Sequence, residues 1–588
     1  MNNEWSLDVL YQGYQDKKFL DDLSRIDELV NKMNSVASEL SKYETKEALH
    51  TIISTLEEVY ALQERLGGYC SLRQATNTTD SESASYLGTI SQKFSNIAKA
   101  EAIFKSYIAS VDNLETILEG DELLSEYRFM LLEIKKNAKH LLNDQVEEVI
   151  SKFDISGGSA WEELQSYLTS TVKVDYKGEE ITLSSVRNLA YSKDAKERKE
   201  AYEAEIAAYD KIKDAVAYSL NSIKLQVLTE SELRGYESPL MMALNQSNMQ
   251  KSTLDAMLTA IKEYLPKFQA YLRRKGEILG SNQGLAWYDM FAPLGTSEQS
   301  FSVEEAKDYL LKHFRGFAPD LAEMVEKAFA EEWIDFFPRA GKVGGAFCSN
   351  LQSVKQSRVL TNFDGTLSDV VTLAHELGHA YHNQQVHDHR ILNTDYSMPV
   401  AETASTFNEN IIMNAAIDEA EGVEKLVLIE SQLQDAAQII CDIYSRYLFE
   451  TAVFENRKSS FMFADDLKEL MLNAQKEAYG DGLDSKTLHP YMWVCKGHYY
   501  SSHLSFYNFP YAFGGLFARG LYAKYKAEGS EFVPKYRKLL NATPVSTVEE
   551  VAKYADIDLT NPEFWRAGLK SFADQIDEFI KLSKEYSL

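Results

Sequence analysis

Apolar residues recur every three or four positions along much of the chain. This spacing is clear from Asp21 to Met33 and from Leu49 to Leu62, and it continues from Ser81 to Ala109 and from Glu122 to Ala138. A period near 3.6 residues places apolar side chains on one face of an amphipathic helix. Residues 1 to about 155 are therefore predicted to form a series of helices.

Two features interrupt this pattern. The segment Ser156-Gly-Gly-Ser159 is expected to break the helices. Residues from Val172 to Leu183 alternate around a Lys177-Gly178 turn, which predicts a β-hairpin. Because helical spacing then resumes, we divide the chain near residue 190. This division gives an N-terminal helical lobe, residues 1–190 with the hairpin near 172–183, and a second domain, residues 191–588.

The second domain is also predicted to be largely helical. Helices are expected from Asp194 to Thr229, from Glu230 to Gly280 and from Lys425 to Phe454. Shorter patterns in which glycines gather, from Trp287 to Leu294 and from Val343 to Cys348, predict strands. The expected fold class is therefore mainly α, with a small β-sheet.

A metal-binding pattern lies in one of the predicted helices. His375 and His379 are four residues apart, so on an α-helix they lie about 40° apart around the axis and can reach one ion. Glu376 follows His375 directly and leans beside that ion. This is the zinc peptidase arrangement, with two nitrogen ligands and a general base on one helix.

The sequence around this pattern agrees with a helix, and the alternative to a metal site is an exposed amphipathic helix that matches the pattern by chance. Thr366 or Ser368 can cap its N-terminus. An apolar stripe at helical spacing consists of Val370, Leu373, Leu377 and Tyr381. Gly378 leaves room for another backbone nearby.

A catalytic zinc site needs a third protein ligand. Gln385 stands where one family of such sites has a third histidine, which excludes that family. A carboxylate on a following helix is the other common choice, and the candidates are Asp388, Asp395, Glu402 and Glu409. We choose Glu402, 23 residues after His379 (402 − 379), on a helix predicted to start near Pro399 and to run through Glu409.

Glu409 lies two helical turns after Glu402 on the same face. It is expected either to orient a ligating histidine or to be a solvated helix charge. The remaining histidines of this region, His382, His387 and His389, are expected in loops or at the surface rather than as ligands.

These residues carry a family resemblance. His375-Glu-Leu-Gly-His379-Ala followed by Glu402-Thr-Ala-Ser resembles the thimet oligopeptidase superfamily and, within it, the bacterial oligoendopeptidase F group. Further segments match that group: Arg339-Ala-Gly-Lys342-Val-Gly-Gly-Ala-Phe347, Thr361-Asn-Phe-Asp-Gly365-Thr, Phe506-Tyr507-Asn-Phe-Pro-Tyr511-Ala-Phe-Gly514, and Trp287-Tyr-Asp289 followed by Pro293. The resemblance is strong from about Arg234 onward and looser before it. It implies two helical lobes enclosing a deep channel, one Zn²⁺ ion and cleavage of short peptides.

The resemblance also implies roles for residues far from the metal-binding pattern. By spacing, His498, Tyr507 and Tyr511 match the region that supplies transition-state donors, with His503 as an alternative to His498.

A strand near the zinc helix is expected to offer backbone groups to an extended substrate peptide. Gly344 and Gly345, followed by Ala346, would let that peptide come close. The alternative interpretation of these residues is an ordinary glycine-rich turn.

Composition narrows the functional classes. Of the 588 residues 45% are hydrophobic, which indicates a globular protein too long for one core. The net charge of −28 without a basic cluster argues against nucleic acid as a partner. Without a signal peptide or an apolar span, a cytoplasmic location and no membrane association are expected. The four scattered cysteines are expected to be reduced thiols, which agrees with a cytoplasmic location.

The metal-binding pattern predicts a zinc-dependent peptidase with Glu376 as general base, and the family resemblance implies an endopeptidase that acts on oligopeptides. A peptidyl-dipeptidase or a metallocarboxypeptidase with the same zinc site is the alternative, and a non-catalytic peptide-binding protein is a further one. Cobalt or manganese could occupy the same ligands.

Overall fold

The computed structural model describes residues 3–295 and 299–586, and helices dominate it. Its helix content of 73% leaves room for only small sheets, which confirms the mainly α fold class. None of the described helices is long and apolar enough to cross a membrane.

The helices of the first half confirm the predicted series of amphipathic elements. In chain order they are α1 (Lys17–Glu39), α2 (Thr45–Thr76), α3 (Ser81–Phe94), α4 (Ala98–Ser110), α5 (Leu114–Leu118), α6 (Glu122–Glu126), α7 (Arg128–Asn137), α8 (Asp144–Ser156), α9 (Gly158–Thr171), α10 (Leu183–Asn188), α11 (Ala195–Asp210), α12 (Lys213–Leu233), α13 (Pro239–Gln246) and α14 (Lys251–Ile278). The expected break at the Gly157-Gly158 pair is a single residue between α8 and α9.

The second half continues in the same way. Its helices are α15 (Val303–Phe317), α16 (Pro319–Ala330), α17 (Leu367–Val386), α18 (Met398–Ala401), α19 (Thr403–Glu419), α20 (Gly422–Ala437), α21 (Ile443–Arg457), α22 (Ala464–Tyr479), α23 (Met492–Cys495), α24 (Phe509–Glu528), α25 (Phe532–Ala542), α26 (Val548–Lys553) and α27 (Pro562–Glu585). A π-helical turn, Gln438–Asp442, joins α20 to α21, so the long helix predicted there is interrupted by one wider turn.

Two small sheets are present. Strands β1 (Lys173–Tyr176) and β2 (Glu179–Thr182) pair antiparallel, which confirms the predicted hairpin. Its two turn residues, Lys177 and Gly178, both have positive φ, as a tight hairpin turn requires. The second sheet has the order β3-β5-β4, with β3 (Ile334–Asp335) parallel and β4 (Phe347–Leu351) antiparallel to β5 (Gln356–Leu360).

Two strand predictions need correction. The segment from Trp287 to Leu294 contains a short 3₁₀ helix, Trp287–Asp289, instead of a strand. Side chains bind this segment in place of a neighbouring strand: the Trp287 N–H donates to Thr487 Oγ1, and the Arg198 guanidinium donates to Asp289. In the segment from Val343 to Cys348 the strand begins only at Phe347, and the glycines lie in the loop before it.

The chain forms two compact units, and each is built from separated segments. The first comprises Met1–Lys139, Gln299–Ile412 and Tyr525–Asp556, and the second comprises His140–Glu298, Met413–Lys524 and Ile557–Leu588. This partition differs from the contiguous division at residue 190. The difference arises from long-range helix packing, since α25 packs against α17 in the first unit and α27 packs against α14 in the second.

Each unit has its own apolar interior. In the first, α1 and α2 contribute a buried cluster that also includes Leu351 of β4 and Leu360 of β5, so the sheet is tied to the helices. In the second, aromatic contacts join α14 to α27, with Phe268 against Phe572 and Tyr271 against Phe579.

Candidate metal centre

Helix α17 carries the metal-binding pattern, and it is stabilised by an N-terminal cap and by a buried apolar face. Thr366 is the N-cap: its hydroxyl accepts a hydrogen bond from the Asp369 N–H, and the Asp369 carboxylate accepts one from the Thr366 N–H. This reciprocal cap settles the choice between Thr366 and Ser368. The predicted stripe is buried, from Val370 to Tyr381.

The second sheet lies beside this helix, as predicted. Strands β4 and β5 pack against α17, and the Asn383 amide donates a hydrogen bond to Ser357 Oγ at 3.0 Å. The second sheet therefore supports the helix that carries the two histidines.

Three donor side chains meet at one point. Oε2 of Glu402 lies 3.3 Å from Nε2 of His375 and 3.3 Å from Nε2 of His379. Ligands at 2.0–2.1 Å from a tetrahedral ion are separated by about 3.3 Å, so these residues fit a zinc ion. Among the described residues, this is the one group of three whose donor atoms cluster within 4.8 Å.

Glu402 reaches the histidines from a break between two helices. It is the C-cap of α18, with φ −93° and ψ 11°, and α19 starts at the next residue. The single helix predicted from Pro399 through Glu409 is therefore divided at Glu402. The Ser405 hydroxyl donates to the same oxygen, Glu402 Oε2, at 2.7 Å, which helps to fix the carboxylate.

The other carboxylate candidates occupy different places. Asp388 is exposed, and its Oδ1 atom lies 3.6 Å from Nζ of Lys355. Asp395 lines the cavity that holds the three donors. Glu409, on α19, forms a short hydrogen bond with Nδ1 of His375. Of the two expectations for Glu409, the structure favours contact with the histidine over a solvated helix charge.

Electrostatics at this point are dominated by carboxylates. Burial alone lowers the pKa of His375, but the carboxylates of Glu402 and Glu409 outweigh it and raise this pKa to about 10. Burial opposes ionisation of Glu402, yet hydrogen bonds from both histidines hold its pKa far below the usual range. The negative charge around the two imidazoles favours a bound cation.

Glu376 lies beside the donors but is not one of them. It is buried, and it lines a cavity of about 720 Å³ together with His375, His379 and Glu402. Burial raises the pKa of the Glu376 carboxyl.

The sequence did not point to several other residues of this cavity. Tyr60 and Glu64 come from α2, some 300 residues earlier in the chain, and Tyr396 comes from the loop before α18. No local spacing connects these residues to the metal-binding pattern.

The neighbouring histidines correct one expectation. His382 lies inside α17, is fully buried, and stacks on Tyr396 with ring centroids 4.1 Å apart. His387 is also buried, with Nε2 3.2 Å from Asn350 Oδ1. The prediction of a loop or surface position was wrong for His382, because its ring packs in the interior from within α17. His387 does lie in the turn after α17, as predicted, although its side chain is buried. Neither belongs to the donor group.

The glycine segment directly precedes β4, an outer strand of the second sheet. Because β4 is an outer strand in the order β3-β5-β4, one of its edges has no partner among the described strands. The Asn362 amide donates to the carbonyl oxygens of Val343, at 3.1 Å, and Gly345, at 2.8 Å. A β-carbon on Gly344 or Gly345 would meet nothing within 4 Å, so the backbone of these residues is accessible.

His498, Tyr507 and Tyr511 come together in the second compact unit. Ring centroids are 4.8 Å apart for His498 and Tyr507, 5.8 Å for His498 and Tyr511, and 5.2 Å for the two tyrosines. His503, the alternative to His498, is elsewhere, with Nε2 3.2 Å from Asp154.

A buried ion pair that the sequence did not reveal supports this aromatic cluster. Glu450 accepts hydrogen bonds from the Phe506 N–H and the Asn508 amide, on either side of Tyr507, and it pairs with Lys224 at 2.7 Å.

The fold is helical, and its three clustered donors, two histidines and a glutamate, lie beside the buried carboxyl of Glu376. This combination is that of a metallopeptidase. Comparison with known families agrees. The chain belongs to peptidase family M3, whose model matches residues 188–571, and a second model, Oligopeptidase F, matches residues 109–173. The protein is thus a metalloendopeptidase.

Individual relatives are distant but match over most of their length. Oligopeptidase PepF of Bacillus subtilis is 24% identical, over 96% of this chain and 86% of its own. An oligoendopeptidase F homologue of Lactococcus lactis is 24% identical, over 98% and 97%. The crystal structure of oligoendopeptidase-F from Enterococcus faecium shares the fold, with a TM-score of 0.70 at 18% identity over 97% and 99% of the two chains. A crystal structure from Chlamydophila abortus, of a protein described as a peptidase, matches with a TM-score of 0.86 at 20% identity, over 99% and 98%.

Proposed function

We propose that this protein is a zinc-dependent endopeptidase that hydrolyses internal bonds of short oligopeptides. The observation that carries the proposal is the meeting of His375, His379 and Glu402 with 3.3 Å between donor atoms. Membership of peptidase family M3 supports the reaction type. The names of the relatives, an oligopeptidase and an oligoendopeptidase, support the substrate class.

His375, His379 and Glu402 would hold the ion. Zinc, when bound, lowers the pKa of a water molecule towards ~7 and polarises a peptide carbonyl. Glu409 positions the His375 ring, because a carboxylate on Nδ1 keeps Nε2 free to face the ion.

Glu376 acts as the general base. Its raised pKa suits a carboxylate that accepts a proton from the attacking water and returns it to the leaving amine. Its place in the same cavity as the three donors supports this role.

Two further groups would act on the substrate. By the family resemblance, Tyr507 or Tyr511, with His498, donates hydrogen bonds to the developing oxyanion. Gly344, Gly345 and Ala346 would bind the substrate backbone beside the edge strand β4. The accessible glycine backbone supports this second assignment.

A cytoplasmic location is proposed from the cysteines. Cys70, Cys348, Cys441 and Cys495 are all free thiols. Disulfide-free proteins of this size are typical of reducing compartments.

The decisive experiment is cleavage of an internally quenched peptide of roughly ten residues that is blocked at both ends, a length suited to short-peptide recognition in an extended groove. Internal cleavage should be abolished by a chelator and restored by zinc, and Glu376→Gln protein prepared in parallel should be at least ~10²-fold slower with zinc present. Cleavage that resists the chelator would contradict the metal mechanism. Cleavage only after the C-terminus is unblocked would replace the endopeptidase with an exopeptidase.

A further inference from the structure

The second compact unit contains a cavity that the proposed mechanism does not use. Its volume is about 520 Å³, within the range of small-molecule sites. Its walls come from α9, α10, α11, the π-helical turn and the segment that ends at Lys496.

Several N–H groups that line this cavity have no hydrogen-bond acceptor among the described residues. Among the residues that the structure describes, the Lys496 ammonium forms neither a hydrogen bond nor an ion pair, and the Gln438 amide forms no side-chain hydrogen bond. Arg187 pairs with Glu205 through Nε, at 3.2 Å, and its two terminal nitrogens form no hydrogen bond with the described residues.

The acidic groups on the same walls are already occupied. Glu205 accepts a hydrogen bond from the Tyr209 hydroxyl at 2.9 Å in addition to its pairing with Arg187. The Asp442 carboxylate is held by Arg446. The walls therefore carry more cationic than anionic side chains, and Lys496 is the cation without a contacting carboxylate among the described residues.

This surplus is costly for folding. Lys496 is half-buried, and burial lowers the pKa of its ammonium by more than the nearby charge of Asp442 raises it. A desolvated cation without a partner destabilises a fold. A ligand carboxylate would supply the missing partner, and charge-assisted hydrogen bonds of this kind are the strong ones.

The rest of the lining is apolar and aromatic. Tyr191 packs against Phe291 with ring centroids 5.0 Å apart, and Trp287, Met290 and Met492 complete this side. A ligand with an apolar body is therefore favoured over an inorganic anion. Gln438 and Asp442 come from the π-helical turn, a feature that is frequent at functional sites.

We propose that this cavity binds a small organic carboxylate with an apolar body, whose carboxylate is held by Lys496, Arg187 and Gln438. The C-terminus of a short peptide and a non-peptide carboxylic acid share this chemistry. The inference rests on the cavity itself and does not depend on the proposed function.

Calorimetric titration of the full-length protein tests the ligand class. The probes are N-acetyl-L-phenylalanine, its amide, 3-phenylpropionate and sodium sulfate. N-acetyl-L-phenylalanine should bind. Its amide should bind at least about tenfold more weakly than the acid, which is the scale of a lost hydrogen bond to a charged group. Equal binding of 3-phenylpropionate would identify a general carboxylate site, and its failure would identify a peptide terminus. Binding of sulfate alone, or equal binding of acid and amide, would overturn the proposal.

Variants locate the binding. Lys496→Met should weaken binding of N-acetyl-L-phenylalanine by about tenfold or more, and Gln438→Met by about three- to tenfold. Lys193→Met removes an exposed lysine of the same unit and should change nothing. Glu402→Ala removes a metal donor of the first unit and should leave binding intact. Loss in Glu402→Ala with retention in Lys496→Met would mean that the carboxylate binds at the metal centre, and the proposal would fail.

Thermal unfolding separates a ligand role from a structural one. Because the Lys496 ammonium lacks a protein partner, Lys496→Met should unfold at the same temperature as the wild type or higher. Added N-acetyl-L-phenylalanine should raise the midpoint of the wild type but not that of Lys496→Met. A lower midpoint for Lys496→Met without ligand would show that the lysine supports the fold itself, contrary to the proposal.

Discussion

A β-carbon placed on Gly378 would lie 2.5 Å from the Cα atom of Ser405, so α17, which carries both histidine donors, is in backbone contact with α19, which begins directly after Glu402. Gly378 directly precedes His379, and the Ser405 hydroxyl binds the Glu402 carboxylate. This contact therefore sets the separation between a histidine donor and the glutamate donor. It also confirms the expectation that Gly378 makes room for another backbone.

Gly378→Ala should damage the metal centre. The added methyl group must push α17 and α19 apart, at a cost of about 1–3 kcal/mol in the free energy of unfolding. Zinc affinity should fall by about 10- to 100-fold, as it does when support around a ligand is lost. Gly88→Ala is the matched control, since Gly88 lies in a helix, is exposed and has open space at its β-carbon. Unchanged zinc affinity in Gly378→Ala would refute the spacing role.

Glu402→Ala and Glu409→Ala should differ in bound zinc. Loss of the donor itself should remove most of the metal, whereas loss of the carboxylate behind His375 should weaken zinc binding by about 10- to 100-fold. Zinc content after dialysis against a weak chelator, together with titrated affinity, measures both. If Glu409→Ala loses more metal than Glu402→Ala, the two roles have been assigned in reverse.

Glu376→Gln should retain zinc and lose turnover. The amide has nearly the same shape as the carboxyl but cannot accept the proton, so kcat should drop by at least ~10²-fold. Metal content and kcat on the blocked peptide are measured on the same preparation. Turnover near that of the wild type would exclude Glu376 as the base.

Tyr507→Phe and Tyr511→Phe test the aromatic cluster. A phenol that donates to the oxyanion should, when lost, reduce kcat by about 10²–10³-fold with little change in KM. His498→Ala should reduce kcat as well, while His503→Ala serves as the control because His503 faces Asp154. Full activity in both tyrosine variants would show that neither Tyr507 nor Tyr511 donates a hydrogen bond to the oxyanion.

Asn362→Ala tests the glycine segment. Without the two hydrogen bonds to Val343 and Gly345, this backbone should lose its fixed geometry, and peptide binding should weaken by about three- to tenfold. Peptide dissociation constants measured in the Glu376→Gln background separate binding from turnover. Unchanged peptide affinity would argue against a substrate role for Gly344 and Gly345.

Several features followed from sequence because their geometry is local. The four-residue spacing of His375 and His379 places both rings on one helix face wherever that helix lies. The Lys177-Gly178 hairpin turn depends only on neighbouring residues. The cap of α17 was limited by sequence to Thr366 or Ser368, and the structure identified Thr366. Glu402 could be chosen among four carboxylates, but only the structure brought its oxygen to both histidines.

Tertiary packing decided the rest. Whether His382 is exposed, whether Trp287 lies in a strand, and which helices form one compact unit all depend on partners far away in the chain. The same holds for Lys496, which in sequence is one lysine among many. Local spacing determines which side chains share a face, whereas burial and charge compensation are set by segments that meet only when the chain folds.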